Sequence, residues 1–259
     1  MSQTRSNPAA IILAAGKGTR MNADLPKVVF PVGGRAMVCA VVDACRAAGV
    51  DRLVVVVGYM QDKVREALAG HDVEFAVQGE QLGTGHAVRA AQGAFTPPTG
   101  DVLVLCGDGP LIRPETIRTL VQRHREAAAV ATLATAVIDD PAGYGRIVRD
   151  QSGRFQSIVE HKNATPEQRA IREVNPSYYC FDAAALFEAL ARVQRNPLTG
   201  EYYVTDVLGM FREGGQRVEV VPAVPPEDVL SINTPDDLAR VDAIFRARSG
   251  GTPGKGVAA

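Results

Sequence analysis

What this sequence lacks narrows it quickly. Its four cysteines, Cys39, Cys45, Cys106 and Cys180, form no C-x-x-C pair, and no histidines stand at metal-ligand spacing around them. Neither a zinc knuckle nor a disulfide framework organises such a chain, and buried, reduced thiols in a cytoplasmic protein are the expectation. No run approaches the roughly 18 apolar residues of a membrane span, and the opening residues hold no apolar core of signal-peptide length. Neither sign of charge dominates. With 28 basic against 29 acidic side chains, nothing pulls the whole surface towards nucleic acid or an anionic membrane. Internal repeats are absent, hexapeptide runs among them, and so is any Ser-His-Asp or Cys-His arrangement for nucleophilic catalysis. An anionic partner would have to be met by local charge.

What is present is alternation. Ala10–Ala14, Leu53–Val57, Val73–Val77, Val102–Cys106 and Val130–Val137 read as strands. Helical stretches at Met37–Ala48, Gln61–Leu68, Gly85–Gln92 and Pro114–Ala128 fall between them. Leu53–Val57 is too uniformly apolar to leave one face in water, which belongs to parallel sheets covered on both sides. This rhythm predicts an α/β fold with a doubly wound sheet. Later the pattern changes. Arg146–Arg149 and Phe155–Glu160 flank a turn at Asp150–Gly153, and Ser177–Phe181 follows as a strand. Helices at Ala183–Ala191 and Thr205–Arg212, a strand at Arg217–Val221 and a last helix at Pro235–Arg248, N-capped by Thr234, complete the order. A smaller antiparallel lobe packed on the sheet and sharing a cleft with it is expected. A chain of 259 residues can bury roughly three quarters of its unfolded surface without a staple. Residues 1–248 are read as one domain, and the glycine-rich tail 249–259 as disordered.

The first strand runs into Leu13-Ala-Ala-Gly-Lys-Gly-Thr-Arg20, with Leu25-Pro-Lys27 beyond it. Glycines let backbone N–H groups approach an anion without a Cβ in the way. Lys17, Arg20 and Lys27 add charge that suits a polyphosphate; a solvated turn with chance basic residues is the alternative. Two familiar phosphate loops are excluded. A P-loop needs glycine where Ile11 stands and Ser or Thr where Gly18 stands, and a dinucleotide fingerprint needs glycine at Met21.

Other stretches carry polar groups where strands end. Asp108 follows the Val102–Cys106 strand at its carboxyl end, where ligands bind in open α/β sheets. It is either a cap for the turn before Pro110 or a hard-cation ligand, since Mg²⁺ favours one or two carboxylates completed by phosphate oxygens and water. In Gln78-Gly-Glu-Gln-Leu-Gly83-Thr84-Gly-His86, the Gln78 amide offers both a donor and an acceptor, as reading a base edge requires. A plain strand-to-helix turn would look the same, and His86 is read as a helix-face residue with no catalytic role. Gly145, Glu160 and Asn175 lie at strand ends, as a hydroxyl-rich ligand would need and as surface turns also would.

Together these motifs resemble, in order and spacing, the pyrophosphorylase domain of the bacterial N-acetylglucosamine-1-phosphate uridylyltransferases. LAAGKGTRM…DLPKV, QGEQLGTGHA, GDGPLI, DDPAGYGRI, IVEHKNATPEQR, GEYYVTD and Ile232-Asn233 span about Ile11 to Val241. The resemblance implies a Rossmann-like, mixed sheet of the nucleotidyltransferase type with a small sugar-binding lobe. It also implies UTP and a sugar 1-phosphate as substrates, Mg²⁺ as cofactor, and UDP-N-acetylglucosamine, a cell-envelope precursor, as product. By position, Leu13, Ala14, Ala15 and Gly16 would lie along the nucleotide, and Arg20 and Lys27 would be catalytic, holding the triphosphate. Gln78, Gly83 and Thr84 would read the uracil, and Asp108 and Asn233 would hold the metal. Gly145, Glu160, Asn175, Glu201, Tyr203 and Thr205 would surround the sugar.

Departures bear on the sugar more than on the transfer. That family commonly has Asn-Thr-Gly where this chain has Asn175-Pro176-Ser177, and proline removes an N–H and fixes φ. Cys106 and Gly109 flank Asp108 where other side chains are usual. The family's β-helix acetyltransferase domain has no counterpart in these residues, so acetyl transfer and the associated trimer are not expected, and a monomer is compatible. The same reaction with another sugar or nucleotide, or a non-catalytic nucleotide-sugar-binding subunit, are the competing expectations.

Overall fold

The computed structural model describes residues 6–18, 25–230, 232 and 234–249. Strand β1 (Ala9–Ala14) leads through the glycine-rich loop and a turn of 3₁₀ helix (Lys27–Val29) into a ribbon of β2 (Pro31–Val32) and β3 (Arg35–Ala36). Next come α1 (Met37–Ala47), β4 (Arg52–Val57), α2 (Gln61–Ala67), β5 (Glu74–Val77), α3 (Thr84–Ala90), β6 (Asp101–Cys106), α4 (Pro114–Glu126) and β7 (Ala131–Val137). The second half holds β8 (Gly145–Arg149), β9 (Phe155–Val159), α5 (Pro166–Arg169), β10 (Glu173–Asp182), α6 (Ala183–Leu190), α7 (Asp206–Glu213), β11 (Val218–Val221) and α8 (Pro235–Ser249).

Strands run in the order β11-β7-β10-β6-β1-β4-β5 in one mixed sheet. β1 is an interior strand of it, parallel to β4 on one side and to β6 on the other. Its alternation decides which layer each side chain enters. Ala10, Ile12 and Ala14 pack with Val38, Val41 and Leu120 of α1 and α4, whereas Ile11 packs with Val88, Leu186 and Val207 of α3, α6 and α7. Both faces are therefore covered, as the continuous valine run of β4 requires. Because β1 has its parallel neighbours on opposite sides, the crevice beyond its carboxyl end is a switch point of the sheet. No helix among the described residues is long and apolar enough to cross a membrane.

β10 is longer than the Ser177–Phe181 segment expected from sequence. Pro176 argues against a strand there, but it sits in an irregularity between Val174 and Tyr178 where the pairing register with β7 shifts. Next to that shift β10, still paired with β7, also pairs with β8, Val174 opposite Arg146 and Asn175 opposite Gly145. The β8–β9 hairpin is thus hydrogen-bonded into the main sheet through β10, rather than being a lobe only packed on it. The short helix α5 was not expected; Thr165 and Gln168 close a capping box at its start.

At the last helix, Thr234 and Asp237 exchange side-chain hydrogen bonds with each other's backbone N–H, the expected N-cap. α8 ties together two segments that border the crevice. Asp242 Oδ1 accepts from the Gly33 N–H of the β2–β3 ribbon at 2.7 Å. Arg248 reaches the Leu111 carbonyl and, together with Arg113, pairs with Asp228, which is only 1% exposed. Val32, Met37, Leu111, Ile232 and Val241 form a small core beneath it.

Candidate active site

The crevice is built where β1, β4 and β6 end. The Gly107 N–H donates to the Leu13 carbonyl at 2.9 Å, and the Tyr59 N–H to the Ala15 carbonyl at 3.1 Å, so three strand ends are laced around the glycine-rich loop. Gly18 has a φ of +64°, and a Cβ there would stand 2.6 Å from the Lys27 Cβ. Glycine is what lets the loop fold back against Lys27. The Lys27 ammonium then crosses the floor to donate to Asp108 Oδ2 at 2.7 Å.

A cavity of about 370 Å³ opens above this pair. Leu13, Ala15, Gly16, Lys27, Gln78, Gly83 and Thr84 all line it, so most of the expected nucleotide contacts meet around one space, together with Asp108 and Glu201. Ala14 is the exception. Its methyl is 1% exposed and packs in the core beneath, on the opposite side of β1 from Leu13. Arg20 and Asn233 lie outside the described residues.

The Gln78 turn is held closely. Gly83, at φ +96°, precedes α3, and a Cβ on it would lie 2.6 Å from the Tyr202 carbonyl. Only glycine allows that approach. The Tyr202 N–H donates to the Leu82 carbonyl, the Gly85 N–H to the Tyr202 carbonyl, and the Val204 N–H to Thr84 Oγ1. Within the turn, Gln78 Nε2 donates to the Gly83 carbonyl at 3.2 Å and lies 3.0 Å from His86 Nδ1. The donor half of the Gln78 amide is therefore committed inside the protein. The sequence pattern puts His86 on a helix face; it does sit on α3, but against Gln78, a contact without a local sequence signal.

A smaller, more enclosed cavity of about 140 Å³ adjoins the first and shares Leu13, Thr84 and Cys106 with it. Glu160, Tyr203 and Thr205 line it, as expected for a sugar side, with Ser177 and Tyr179 forming its floor. Glu201 faces the larger cavity instead. Gly145 and Asn175 line neither. A Cβ at Gly145 would meet Ile158 at 2.9 Å and approach a Glu160 oxygen to 3.6 Å, so Gly145 backs the wall that carries Glu160. Asn175 is 5% exposed and commits both ends of its amide internally. Its Nδ2 donates to the Tyr179 hydroxyl at 2.6 Å, and its Oδ1 accepts from the Ser177 N–H at 3.0 Å. It shapes the floor from behind.

Charge in this smaller space is unusual. Burial pushes the Glu160 carboxyl above the ordinary range, and the Asp206 and Glu201 charges add to the rise, against a hydrogen bond from Thr205. The Cys106 thiol is pushed up to about 12, by burial first and then by the Asp108 charge. It is a neutral thiol in the wall and no nucleophile. Ser177 and Cys106, departures from the family pattern in sequence, both line this cavity.

Among the described residues, no three His, Cys, Asp or Glu side chains converge as a metal site. Asp108 nonetheless presents hard carboxylate oxygens to the cavity, and one such group with phosphate oxygens and water matches the preference of Mg²⁺. The donor chemistry fits.

Residues 10–208 match the family model of the MobA-like NTP transferase domain. The chain belongs to the MobA-like NTP transferase domain family. The matched part of this MobA-like domain runs from β1 into α7 and takes in both cavities. The chain is also 49% identical over 241 residues to the bifunctional protein GlmU of Geobacter metallireducens, an overlap covering 93% of this chain and 51% of that protein. Against the bifunctional protein GlmU of Bacillus thuringiensis it is 46% identical over 243 residues, or 94% of this chain and 53% of the other. This MobA-like domain thus spans about half the length of the curated relatives it matches.

Proposed function

We propose that the chain transfers UMP from UTP to a sugar 1-phosphate, with N-acetylglucosamine 1-phosphate as the acceptor, giving the UDP-sugar and pyrophosphate. The observation that carries this is the pair of adjoining cavities. One is lined by the Gln78 turn and the glycine-rich loop, the other by Glu160 and Thr205, and the Lys27–Asp108 pair stands on the floor of the first. Likeness to the bifunctional proteins GlmU over 93–94% of this chain supports this reading.

A phosphate monoester has its second pKa near ~6, so a sugar 1-phosphate oxygen is already anionic at neutral pH. It attacks the α-phosphorus of UTP directly, a new P–O bond forms, and the bond to the bridging oxygen of the β-phosphate breaks to release pyrophosphate. No general base is needed, in keeping with the absence of a nucleophilic constellation in the sequence. What the chain supplies is alignment and positive charge. Lys27 leaves Asp108 to meet the triphosphate, Gln78 and Gly83 hold the base, and Glu160 accepts from an acceptor hydroxyl. A divalent cation held by Asp108 with Asn233 would offset charge on the α-phosphate and departing pyrophosphate.

The departures at Pro176, Ser177 and Cys106 favour a second form of this proposal, in which the acceptor is a different sugar 1-phosphate. Pyrophosphate release with UTP against a panel of sugar 1-phosphates, with and without Mg²⁺, tests both. Turnover of glucose 1-phosphate well above its N-acetylamino analogue would overturn the first acceptor in favour of the second. No release with any sugar would overturn the transferase activity itself.

A further inference from the structure

A side-chain amide buried beside a ligand cavity reads its ligand through whichever end faces the cavity. Gln78 is 4% exposed and lines the larger cavity, so its orientation is set by protein groups and not by water. The Gly83 carbonyl, 3.2 Å from the terminal nitrogen, can only accept, and this fixes Nε2 rather than Oε1 on that side. The second N–H of the same nitrogen is met by His86 Nδ1 at 3.0 Å. Nδ1 must therefore carry its lone pair, and the neutral ring carries its proton on Nε2. With both N–H groups engaged, what Gln78 turns to the cavity is an acceptor only.

We propose that His86 is a positioning residue for base selection: by accepting from Gln78 it holds Oε1 towards the nucleotide, selecting a pyrimidine with an N3–H over one with an N3 lone pair. This rests on the uridylyl-transfer function proposed above and adds how the base is chosen. Uracil and thymine present a donor at N3 between two carbonyls, whereas cytosine presents an acceptor there. Against cytosine, Gln78 would set lone pair against lone pair. Turning the amide to relieve that would direct Oε1 at both the Gly83 carbonyl and His86 Nδ1. A site built around a buried polar group rejects a ligand that leaves the group unpaired.

His86 is itself held in place. Its ring centroid lies 6.4 Å from that of Tyr202, with the rings inclined at 30°. The neighbouring Gly85 N–H donates to the Tyr202 carbonyl at 2.7 Å, and the Arg89 guanidinium covers the Tyr202 ring. The start of α3 is thereby fixed to the segment that follows Glu201, and the imidazole has little freedom to leave Gln78.

The test is competitive binding of UTP, dTTP and CTP to the full chain with Mg²⁺, by calorimetry, in the unaltered protein and in His86→Phe, His86→Leu and His86→Asp. Phe keeps a ring against Tyr202 without an acceptor, Leu removes both, and Asp supplies an oxygen near the position of Nδ1 that can only accept. The unaltered chain and His86→Asp are expected to prefer UTP and dTTP to CTP. In Phe and Leu that preference falls roughly 5–10-fold, the size of one lost hydrogen bond. An unchanged preference in both would show that the Gly83 carbonyl suffices and would overturn the proposal. So would an equal loss of affinity for UTP and CTP, or loss of the preference in a folded His86→Asp. An unaltered chain that binds no nucleoside triphosphate would fail differently, removing the transferase function along with its base choice.

Discussion

Lys27 and Asp108 are each other's counter-ion across the cavity floor, with Lys27 Nζ 2.7 Å from Asp108 Oδ2. Both side chains are partly exposed, at 15% and 31%, so the pair is open to exchange and not sealed in the interior. A phosphate arriving at Lys27 and a cation arriving at Asp108 each require the other residue to be released. The two bindings are therefore coupled: triphosphate that takes Lys27 away leaves Asp108 free for a cation.

Lys27→Met should separate the two halves of that exchange. Without the ammonium, Asp108 keeps an unpaired carboxylate, and Mn²⁺ binding in the absence of nucleotide is expected to tighten about tenfold, as one charged partner is lost. Turnover should fall on the order of 10²–10³ because a phosphate-directed charge is gone. Electron paramagnetic resonance titration of Mn²⁺ reads the first effect without relying on activity. Weaker Mn²⁺ binding in the variant would contradict the coupling.

Glu160 is predicted to trade stability for binding. Its carboxyl is held above the ordinary value of 4.5 by burial, with the Asp206 and Glu201 charges adding to it. The folded state therefore gains most while Glu160 is protonated. That gain is complete below 4.5 and is lost as pH rises through the raised value. At neutral pH, Glu160→Gln should melt higher than the unaltered chain by roughly 2–4 °C, equivalent to about 1 kcal/mol. The advantage should vanish below pH 4.5. Sugar 1-phosphate binding should weaken about 10–100-fold, the scale of a hydrogen bond to a charged group. Thermal melts across pH, paired with acceptor KM, check both. A variant that melts lower at every pH would refute the first half.

Arg146, which the sequence did not single out, is 1% exposed and makes no ion pair among the described residues. Burial depresses its pKa, and the Arg169 charge adds to that. Its Nη1 donates to the Tyr144 carbonyl, while Nη2 lies 3.3 Å from both His161 Nδ1 and the Arg169 carbonyl. The guanidinium thus ties β8 to the segment that follows Glu160. Lysine cannot span those acceptors. Arg146→Lys should raise the acceptor KM about tenfold with little change in UTP affinity, and lower stability by roughly 2–3 kcal/mol. Equal losses for both substrates would point to general unfolding instead.

Much of the crevice was legible in the sequence because its determinants are local. Continuous apolar runs mark β1, β4 and β6, and Asp108 stands one turn beyond the last of them. Alternation along β1 already argues that Ala14 cannot share a cavity with both Leu13 and Ala15, as its burial in the core bears out. Asn175 was not legible in this way. Its amide is taken up by Tyr179 and Ser177 at the irregularity in β10 where the pairing with β7 shifts and β8 also pairs, a non-local arrangement. His86 is hidden for a related reason, since only closure of the turn at Gly83 brings it to Gln78.

Ser177 is where stability and acceptor choice meet, and it can be tested by removing one group. It adopts φ +65°, a region a non-glycine residue enters at a cost of roughly 1 kcal/mol. It lines the smaller cavity together with Cys106 and Tyr179, so it helps to form the floor of that space. Ser177→Gly relieves the backbone while deepening that floor. The expected outcome is a stability change within about 1 kcal/mol, since glycine's greater freedom in the unfolded chain offsets the relief. Relative kcat/KM among sugar 1-phosphates should shift at the same time towards acceptors with the bulkier substituent, by several-fold, with UTP KM unchanged. If the order of acceptors stays the same while the cavity floor is lost, the choice of sugar rests on Glu160 and Thr205 alone.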